Sequence, residues 1–502
     1  MPILEKIFNQ NPWWQDKAFI QMDPKIKEFN AQNLRHHPSL LAEFDLSSFK
    51  IYTLRGPRQV GKTTTVKLLI RKLLDEGKSP ASIFFYSCDN LDDYHDLIDL
   101  LETYRSWLKK RGTQEPLICV FLDEVTTLPD WQRGIKYLAD QGSLEDTVMI
   151  LTGSNAIDLR KGVERLPGRR GRGVDLDKIL LPLSFQEYLK LIKPAFFNQI
   201  TSREKTGQGL LSRLTSQLIY LKDLQLLFDG YLLSGGFPRA INAAQDETGL
   251  SFDVYEVYRH WIRGDMAKLG KSERTARQII GELLKAQTTA LGWETIARKT
   301  DVASHKTVAE YVEALEDFFV LKVLYQVDMS SKLPKVKKYK KIYLLDVFIL
   351  WSLWGWIENW PDPLEKAKIL VEDANVKGKL VEIAVANHLF GIFDRKEWTS
   401  SRVYFWRDAG EIDFLVKVES GLLPIEVKHQ KEVDFRDFKS IQKLGFRRGI
   451  LISQNVLEKQ DGFFIIPLEL FLLNIELLEN LELIRSEGTR QESAPSEKGT
   501  EI

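Results

Sequence analysis

Residues Gly56 to Thr63 read GPRQVGKT. KIYTLR (Lys50 to Arg55) precedes this octapeptide and reads as a strand. TTVKLLIRKLLDEG follows it with helical periodicity, and Leu68, Leu69 and Leu73 share the apolar face. Strand, glycine-rich turn and helix are the setting a phosphate-binding loop requires, and GxxxxGK(S/T) is matched in full. Gly56 and Gly61 allow backbone angles and approaches that a β-carbon would block. The loop runs through Pro57, Arg58, Gln59 and Val60, and its amide N–H groups (which Pro57 lacks), with the helix N-terminus, then turn partial positive charge toward phosphate oxygens. Lys62 adds a full charge near the β and γ phosphates. Thr63 offers a hydroxyl to Mg2+.

Working outward, ASIFFYSCD (81–89) reads as a second strand, followed by a helical segment. Leu117 to Leu122 is an unbroken apolar run, as in a central parallel strand buried on both faces, and it ends in Asp123 and Glu124. Acidic residues at that edge lie where doubly wound sheets bind ligands. Asp123 is expected to hold Mg2+ through water, and Glu124 to polarise the attacking water. TVMILTGSNA (147–156) repeats the pattern and ends in polar Thr152, Ser154 and Asn155, which can position water or simply cap a strand. An arginine-rich loop then carries Arg160, Arg165, Arg169, Arg170 and Arg172. Arg169 or Arg170 is the candidate for a guanidinium supplied in trans to a neighbouring γ-phosphate. The alternatives are a solvated loop or a DNA-backbone contact.

ILLPLSFQEYLKLI (179–192) supplies a fifth strand and a helix start. Residues 207–262 read as mostly helical, interrupted at YLLSGGFPRA, where Gly235, Gly236 and Pro238 force a turn. Residues 273–328 read as three short helices and a strand pair, a winged helix-turn-helix. Ser304 caps its third helix, and His305, Lys306 and Thr307 occupy the first turn, where a major groove would be met. The alternative is a protein spacer. KLPKVKKYKK (332–341) holds six lysines. Lys335, Lys337 and Lys338 are candidates for phosphate contacts, each adding to a salt dependence. The alternative is a solvated connector.

The last stretch carries a second constellation. Glu382 lies on an amphipathic helix, Asp413 on the strand EIDFLVKV (411–418), and Glu426 and Lys428 on LLPIEVKH (422–429), two residues apart on one face. Asp and Glu on adjacent strands can share a divalent cation, with Lys428 beside them to stabilise a pentacovalent phosphate. This D…ExK pattern is that of restriction-endonuclease-like folds.

Composition narrows the classes. The chain has 502 residues, 44% hydrophobic and 28% charged, with 70 basic against 70 acidic side chains. About three or four domains are expected at that length. The charge balance steers no polyanion, so any nucleic-acid site must be a local patch. The cysteines, Cys88 and Cys119, both fall in expected strands, which excludes a disulfide framework. No signal-peptide pattern opens the chain, and no run reaches the roughly 18–20 apolar residues of a membrane span. A cytoplasmic location is the expectation.

Taken together, NPWW, LRGPRQVGKTT, FLDEV, LTGSNA, the GR of LPGRRG, LPLSFQEYL, YLLSGGFPRAI, KIYLLD, WRDAGEIDFLV and PIEVK make residues 8–480 resemble prokaryotic AAA-type ATPases with a C-terminal domain of unknown function related to restriction endonucleases. The resemblance implies an ATP site over Gly56 to Thr64, a Walker B pair at Asp123 and Glu124, and a sensor near Asn155. It further implies a nucleotide-contacting turn matched by Gly236 and Pro238, and ATP rather than GTP. The GRRGRG loop holds more arginines than the pattern needs. The expected fold class is α/β. The segments are an N-terminal arm (1–45), a P-loop AAA-type core (46–200), a helical lid (201–268), a winged helix (269–328), a C-terminal α/β endonuclease-like domain (329–485) and a disordered tail (486–502). The expected activity is Mg2+-dependent ATP hydrolysis by an oligomer acting on DNA. The alternatives are a nucleotide-gated switch with a protein partner and a metal-dependent nuclease.

Overall fold

The computed structural model describes residues 3–478, apart from 113–115, 154–155, 174, 203–208, 247–248, 397, 399, 409 and 420. Asn155 and the tail therefore lie outside the described residues.

The first sheet holds β1 (Lys50–Arg55), β2 (Ile83–Ser87), β3 (Ile118–Asp123), β4 (Thr147–Thr152) and β5 (Asp177–Ile179). Its order is β2-β3-β4-β1-β5 and all its pairs are parallel. β1, β3 and β4 are buried along their whole length, which is why β3 and the middle of β4 read as continuous apolar runs rather than alternating ones, whereas β1 also buries Lys50, Thr53 and Arg55. Parallel order also brings the C-terminal ends of β1, β4 and β3 to one edge.

Trp13 and Trp14 are buried, and both indole N–H groups donate to the Ile83 carbonyl, at 3.0 and 2.8 Å. They pin the N-terminal arm to β2. Cys88 and Cys119 are buried free thiols. Burial pushes the Cys119 thiol up to about 11, so it stays protonated and unreactive.

Helices Leu221–Ser234, Pro238–Gln245 and Phe252–Lys268 follow the first sheet. Next come helices Glu273–Lys285, Trp293–Arg298 and His305–Asp317, then β6 (Leu321–Tyr325) and β7 (Lys340–Leu344), paired antiparallel. The second strand of this ribbon comes from the end of the lysine run, not from residues before 328. Alternation decides this: Lys341 and Tyr343 face one way, and Ile342 and Leu344 the other. Helix Val347–Ile357 is apolar all round and packs centrally. Tyr255 and Tyr258 of helix Phe252–Lys268 lie against its Phe348, at centroid distances of 4.6 and 5.1 Å.

The C-terminal sheet contains β8 (Val403–Arg407), β9 (Glu411–Val418), β10 (Gly421–Val427), β11 (Gly449–Ser453), β12 (Glu458–Gln460) and β13 (Phe463–Pro467). Its order is β12-β13-β11-β10-β9-β8, with β10, β11 and β13 parallel and the other pairs antiparallel. Period-two alternation divides its side chains. Ile450, Ile452, Phe464 and Ile466 join the main core, while Leu451, Phe463 and Ile465 pack on the other face with Phe438 and Ile441. The molecule is therefore mixed α/β, as expected.

Candidate functional site

The loop after β1 bends through positive φ at Gly56 (146°), Gln59 (64°) and Gly61 (102°) before the helix Lys62–Asp75 begins. A β-carbon at Gly56 would lie 2.1 Å from the Leu180 carbonyl oxygen, so only glycine lets the loop pass the segment after β5. Lys62 is buried, and its Nζ donates to the carbonyls of Gly56 (2.9 Å) and Pro57 (3.0 Å). The ammonium thus closes the loop on itself. Burial lowers its pKa to about 8, against the opposing pull of Glu124 and Asp123. Val60 is buried beneath the loop, and Thr64 follows Thr63 in the first helical turn.

Across the sheet edge, Thr63 Oγ1 donates to Asp123 Oδ2 at 2.8 Å. Thr152 at the end of β4 donates to Asp123 Oδ1 and accepts from the Glu124 amide at 3.2 Å. β4 lies between β1 and β3, so its last side chain is the one able to bridge them. Asp123 is buried, which raises its pKa, while the Thr152 and Thr63 hydroxyls pull it back. Glu124 sits in a left-handed conformation, with φ of 53°, just past the strand. Thr152 was legible as a polar strand end; its grip on both carboxylate residues was not.

Two further contacts tie this edge to the helices beyond it. Arg58 Nε donates to Asp265 Oδ2 at 2.8 Å, and the Trp261 indole donates to the same oxygen at 2.9 Å. Asp265 is buried on helix Phe252–Lys268, so a loop residue is tethered to the helical segment. Asp265→Asn removes the charge facing Arg58, and a loss of about 1–3 kcal/mol is expected, read as a lower thermal midpoint of the nucleotide-free protein. Gly236 accepts from the Leu183 amide at 2.8 Å and donates its own N–H to Asp346 Oδ2 at 2.7 Å. Leu180 and Leu183 therefore bridge the phosphate loop and the Gly236 turn. Pro238 opens the next helix. No spacing rule pointed to Asp265, Trp261 or Asp346, which act across the fold.

The arginine loop is partly committed inside its own chain. Arg170 forks onto Asp177 of β5, with both bonds at 3.0 Å, and its Nε donates to the Ile51 carbonyl at 3.1 Å. That pairing clips the loop to the sheet edge and corrects the expectation of a guanidinium held out toward a neighbour. Arg169 pairs with Asp140 nearer the surface.

In the C-terminal sheet, Glu382, Asp413 and Glu426 do converge, but not around an open centre. Lys341 of β7 is 1% exposed, with Nζ at 3.1 Å from Glu382, 2.9 Å from Asp413 and 2.7 Å from Glu411. Tyr343 donates to Glu382 Oε1 at 2.7 Å, and the Val427 amide to Asp413 Oδ2 at 3.0 Å. Lys428 lies 3.5 Å from Glu426. Burial would depress the Lys341 ammonium, but Tyr343, Asp413, Glu382 and Glu411 outweigh it and hold it well above the ordinary lysine range. Burial, then Asp413, pushes Glu382 up to about 7 and Glu426 to about 8. Among the described residues no group of His, Cys, Asp and Glu is arranged to hold a metal ion. The expected metal set of Glu382, Asp413, Glu426 and Lys428 thus does not fit a divalent cation here, because an ammonium stands among the carboxylates.

Of the candidate DNA contacts, Lys306 is exposed in the first turn of helix His305–Asp317, whose cap is the Ser304 hydroxyl on the Thr307 amide at 3.2 Å. Lys337 and Lys338 are exposed between β6 and β7, and Lys335 pairs with Asp328 at 2.9 Å. Among the described residues no helix is long and apolar enough to cross a membrane.

Comparison with known proteins divides the chain in three. Residues 48–189 match an AAA domain, 225–359 a domain of unknown function (DUF8612) and 377–471 another (DUF4143). No curated protein matches the chain. Among solved structures, a Walker-type ATPase of Pyrococcus abyssi is similar at 15% identity over 62% of this chain and 93% of its own, with a TM-score of 0.39. The Orc1 protein of Aeropyrum pernix in complex with DNA is similar at 11% identity over 70% of this chain and 96% of its own, with a TM-score of 0.27. The Cdc6p protein of Pyrobaculum aerophilum is similar at 13% identity over 73% and 94%, with a TM-score of 0.25. The matched region, 48–189, coincides with the five-stranded parallel sheet, its phosphate loop and the Asp123 edge, so this part of the chain is similar to an AAA domain.

Proposed function

We propose that the chain is a Mg2+-dependent ATPase that works on DNA as an oligomer. The observation that carries the reading is the Thr63–Asp123 hydrogen bond across the sheet edge, beside the buried Lys62. Loop amides with a cation at their mouth, and a hydroxyl facing a carboxylate, are the donor set that a triphosphate and Mg2+ need. Gly56 to Thr64 would cradle the phosphates, with Lys62 on the outer ones. Thr63 and Asp123 would hold Mg2+, which would supply positive charge to offset that of the phosphates. Glu124 would orient water and take its proton. Thr152 holds Asp123 and the Glu124 backbone in place, and Asn155 would add a second polar contact to that water. Gly236 and Pro238 would approach the nucleotide from the helical side. Arg169 is the remaining candidate for a guanidinium supplied to a neighbouring subunit.

Exposed Lys306, Lys337 and Lys338 support the DNA part, with Lys335 beside them. The test is steady-state ATP hydrolysis with and without double- and single-stranded DNA, at low and moderate salt. Stimulation of several-fold that fades with salt is expected, because phosphate contacts release counterions. No stimulation at any salt would overturn the DNA reading.

A nucleotide-gated switch with a protein partner is the second reading, favoured by the Arg58–Asp265 tether from phosphate loop to helical segment. It predicts slow turnover indifferent to DNA, and different scattering profiles with ADP and ATP.

A further inference from the structure

The β6–β7 ribbon enters the C-terminal domain through one face. Its register sets Lys322 opposite Tyr343 and Leu324 opposite Lys341, and directly opposed residues share a face. Lys322 is 3% exposed, donates to the Trp398 carbonyl and lies 3.9 Å from both Asp394 and Glu316. Lys341 lies among Glu382, Asp413 and Glu411. Below them, β6 runs on into an edge contact with β8: the Val327 amide donates to the Phe405 carbonyl at 2.9 Å, and Gln326 Nε2 to the Arg407 carbonyl at 2.5 Å. Two lysine prongs and a tyrosine thus seat the ribbon, and one prong ends where the helix carboxylate and the strand carboxylate meet.

We propose that Lys341 is the built-in counter-cation of this carboxylate pocket: its ammonium takes the place a divalent ion would need, so the C-terminal domain serves as a docking lock for the β6–β7 ribbon and not as a metal-dependent nuclease. Three arguments carry it. First, the ammonium contacts both Asp413, the Asp of the D…ExK pattern, and Glu382, the helix carboxylate expected to complete the metal set. Second, the remaining Asp413 oxygen is taken by the Val427 amide, the Tyr343 hydroxyl shares Glu382 Oε1 with the ammonium, and among the described residues no His, Cys, Asp and Glu group is arranged to hold a metal ion. Third, the cation is covalently part of the chain and buried, so its local concentration is fixed, whereas Mg2+ and Mn2+ would have to displace it and shed water. The inference is independent of the nucleotide site and stands or falls apart from the ATPase reading.

The test is Mn2+ binding to the full chain without nucleotide, followed by electron paramagnetic resonance of free Mn2+. The wild type is expected to show no binding that Asp413→Asn removes. Lys341→Ala is expected to bind Mn2+ at least about tenfold more tightly than the wild type, since it frees three carboxylates from an ammonium. Adding Asp413→Asn should abolish the gain. Wild-type Mn2+ binding lost on Asp413→Asn would overturn the proposal, as would a folded Lys341→Ala protein with no gain. If Lys341→Ala fails to fold, the wild-type and Asp413→Asn titrations decide the matter alone.

Discussion

Lys62→Ala is expected to abolish nucleotide binding, and Glu124→Gln to keep binding while slowing hydrolysis at least about 100-fold. The two effects differ because the residues act at different stages. Lys62 is the only full charge in its loop pointed back at the loop carbonyls of Gly56 and Pro57. Its removal takes away both the cation that faces phosphate and the clasp that shapes the loop. Glu124 lies just past β3, where its amide is held by Thr152. The glutamine is nearly isosteric and leaves the Thr63–Asp123 pair intact, so only proton acceptance is lost. Equilibrium binding of a fluorescent ATP analogue and single-turnover hydrolysis separate the two. Equal turnover in wild type and both variants would remove the site assignment. A pH dependence follows as well. The free Lys62 ammonium titrates near 8 because burial disfavours its charge, and bound phosphates would favour that charge. Affinity should therefore be full below about pH 8 and fall above it, by up to about tenfold per unit, until the raised bound-state pKa is passed. Lys62→Ala should lack that dependence.

Gly236→Ala is expected to be the most damaging small substitution outside the phosphate loop. The added β-carbon would lie 2.2 Å from the Leu183 carbonyl oxygen and 2.6 Å from its nitrogen, and backbone atoms, unlike a flexible side chain, leave little room to yield. Relief requires breaking the Leu183–Gly236 bond, the Gly236–Asp346 bond, or both. Asp346 is buried and also caps helix Val347–Ile357 through the Phe348 amide at 2.7 Å, so an orphaned carboxyl there is costly. Overpacking and an unpaired buried acceptor together should cost about 3 kcal/mol or more. Because Leu180 and Leu183 join this turn to Gly56, nucleotide affinity should fall with stability. Gly264→Ala is the matched comparison. It lies within helix Phe252–Lys268 with nothing within 4 Å of the added carbon, and should be neutral or stabilising by up to about 1 kcal/mol. Thermal midpoints of the two variants should move in opposite directions or differ by several degrees. Equal midpoints would mean that the Gly236 turn is not the rigid joint described.

The parts of this protein that could be read along the chain are those whose chemistry is settled by near neighbours. The phosphate loop needs only a strand, a turn with positive φ and a helix start, and GPRQVGKT carries all of that within eight residues. Apolar runs at β3 and β4 announced a buried parallel sheet, because strands covered on both faces have no polar side to show. Asp123 and Glu124 followed from their place at the end of such a run. Ser304 capped its helix as expected, since a cap is satisfied within three residues. What resisted reading was the partner of each charge. Arg170 and Arg169 are adjacent in sequence, yet Arg170 meets Asp177 and the Ile51 carbonyl while Arg169 meets Asp140. Six lysines between residues 332 and 341 looked alike, but alternation along β7 buries Lys341 among carboxylates 41, 70 and 72 residues away, while Lys337 and Lys338 stay in solvent. Asp346 and Gly236 are 110 residues apart and meet only because the helices between them pack as they do. Chain order alone was enough for the phosphate loop and the strands around it, because those are local backbone geometry and local hydrophobic pattern. The tertiary structure alone decided which buried cation neutralises which carboxylate, because a charge taken out of water must find its counter-ion in space, and chain topology sets which one is within reach.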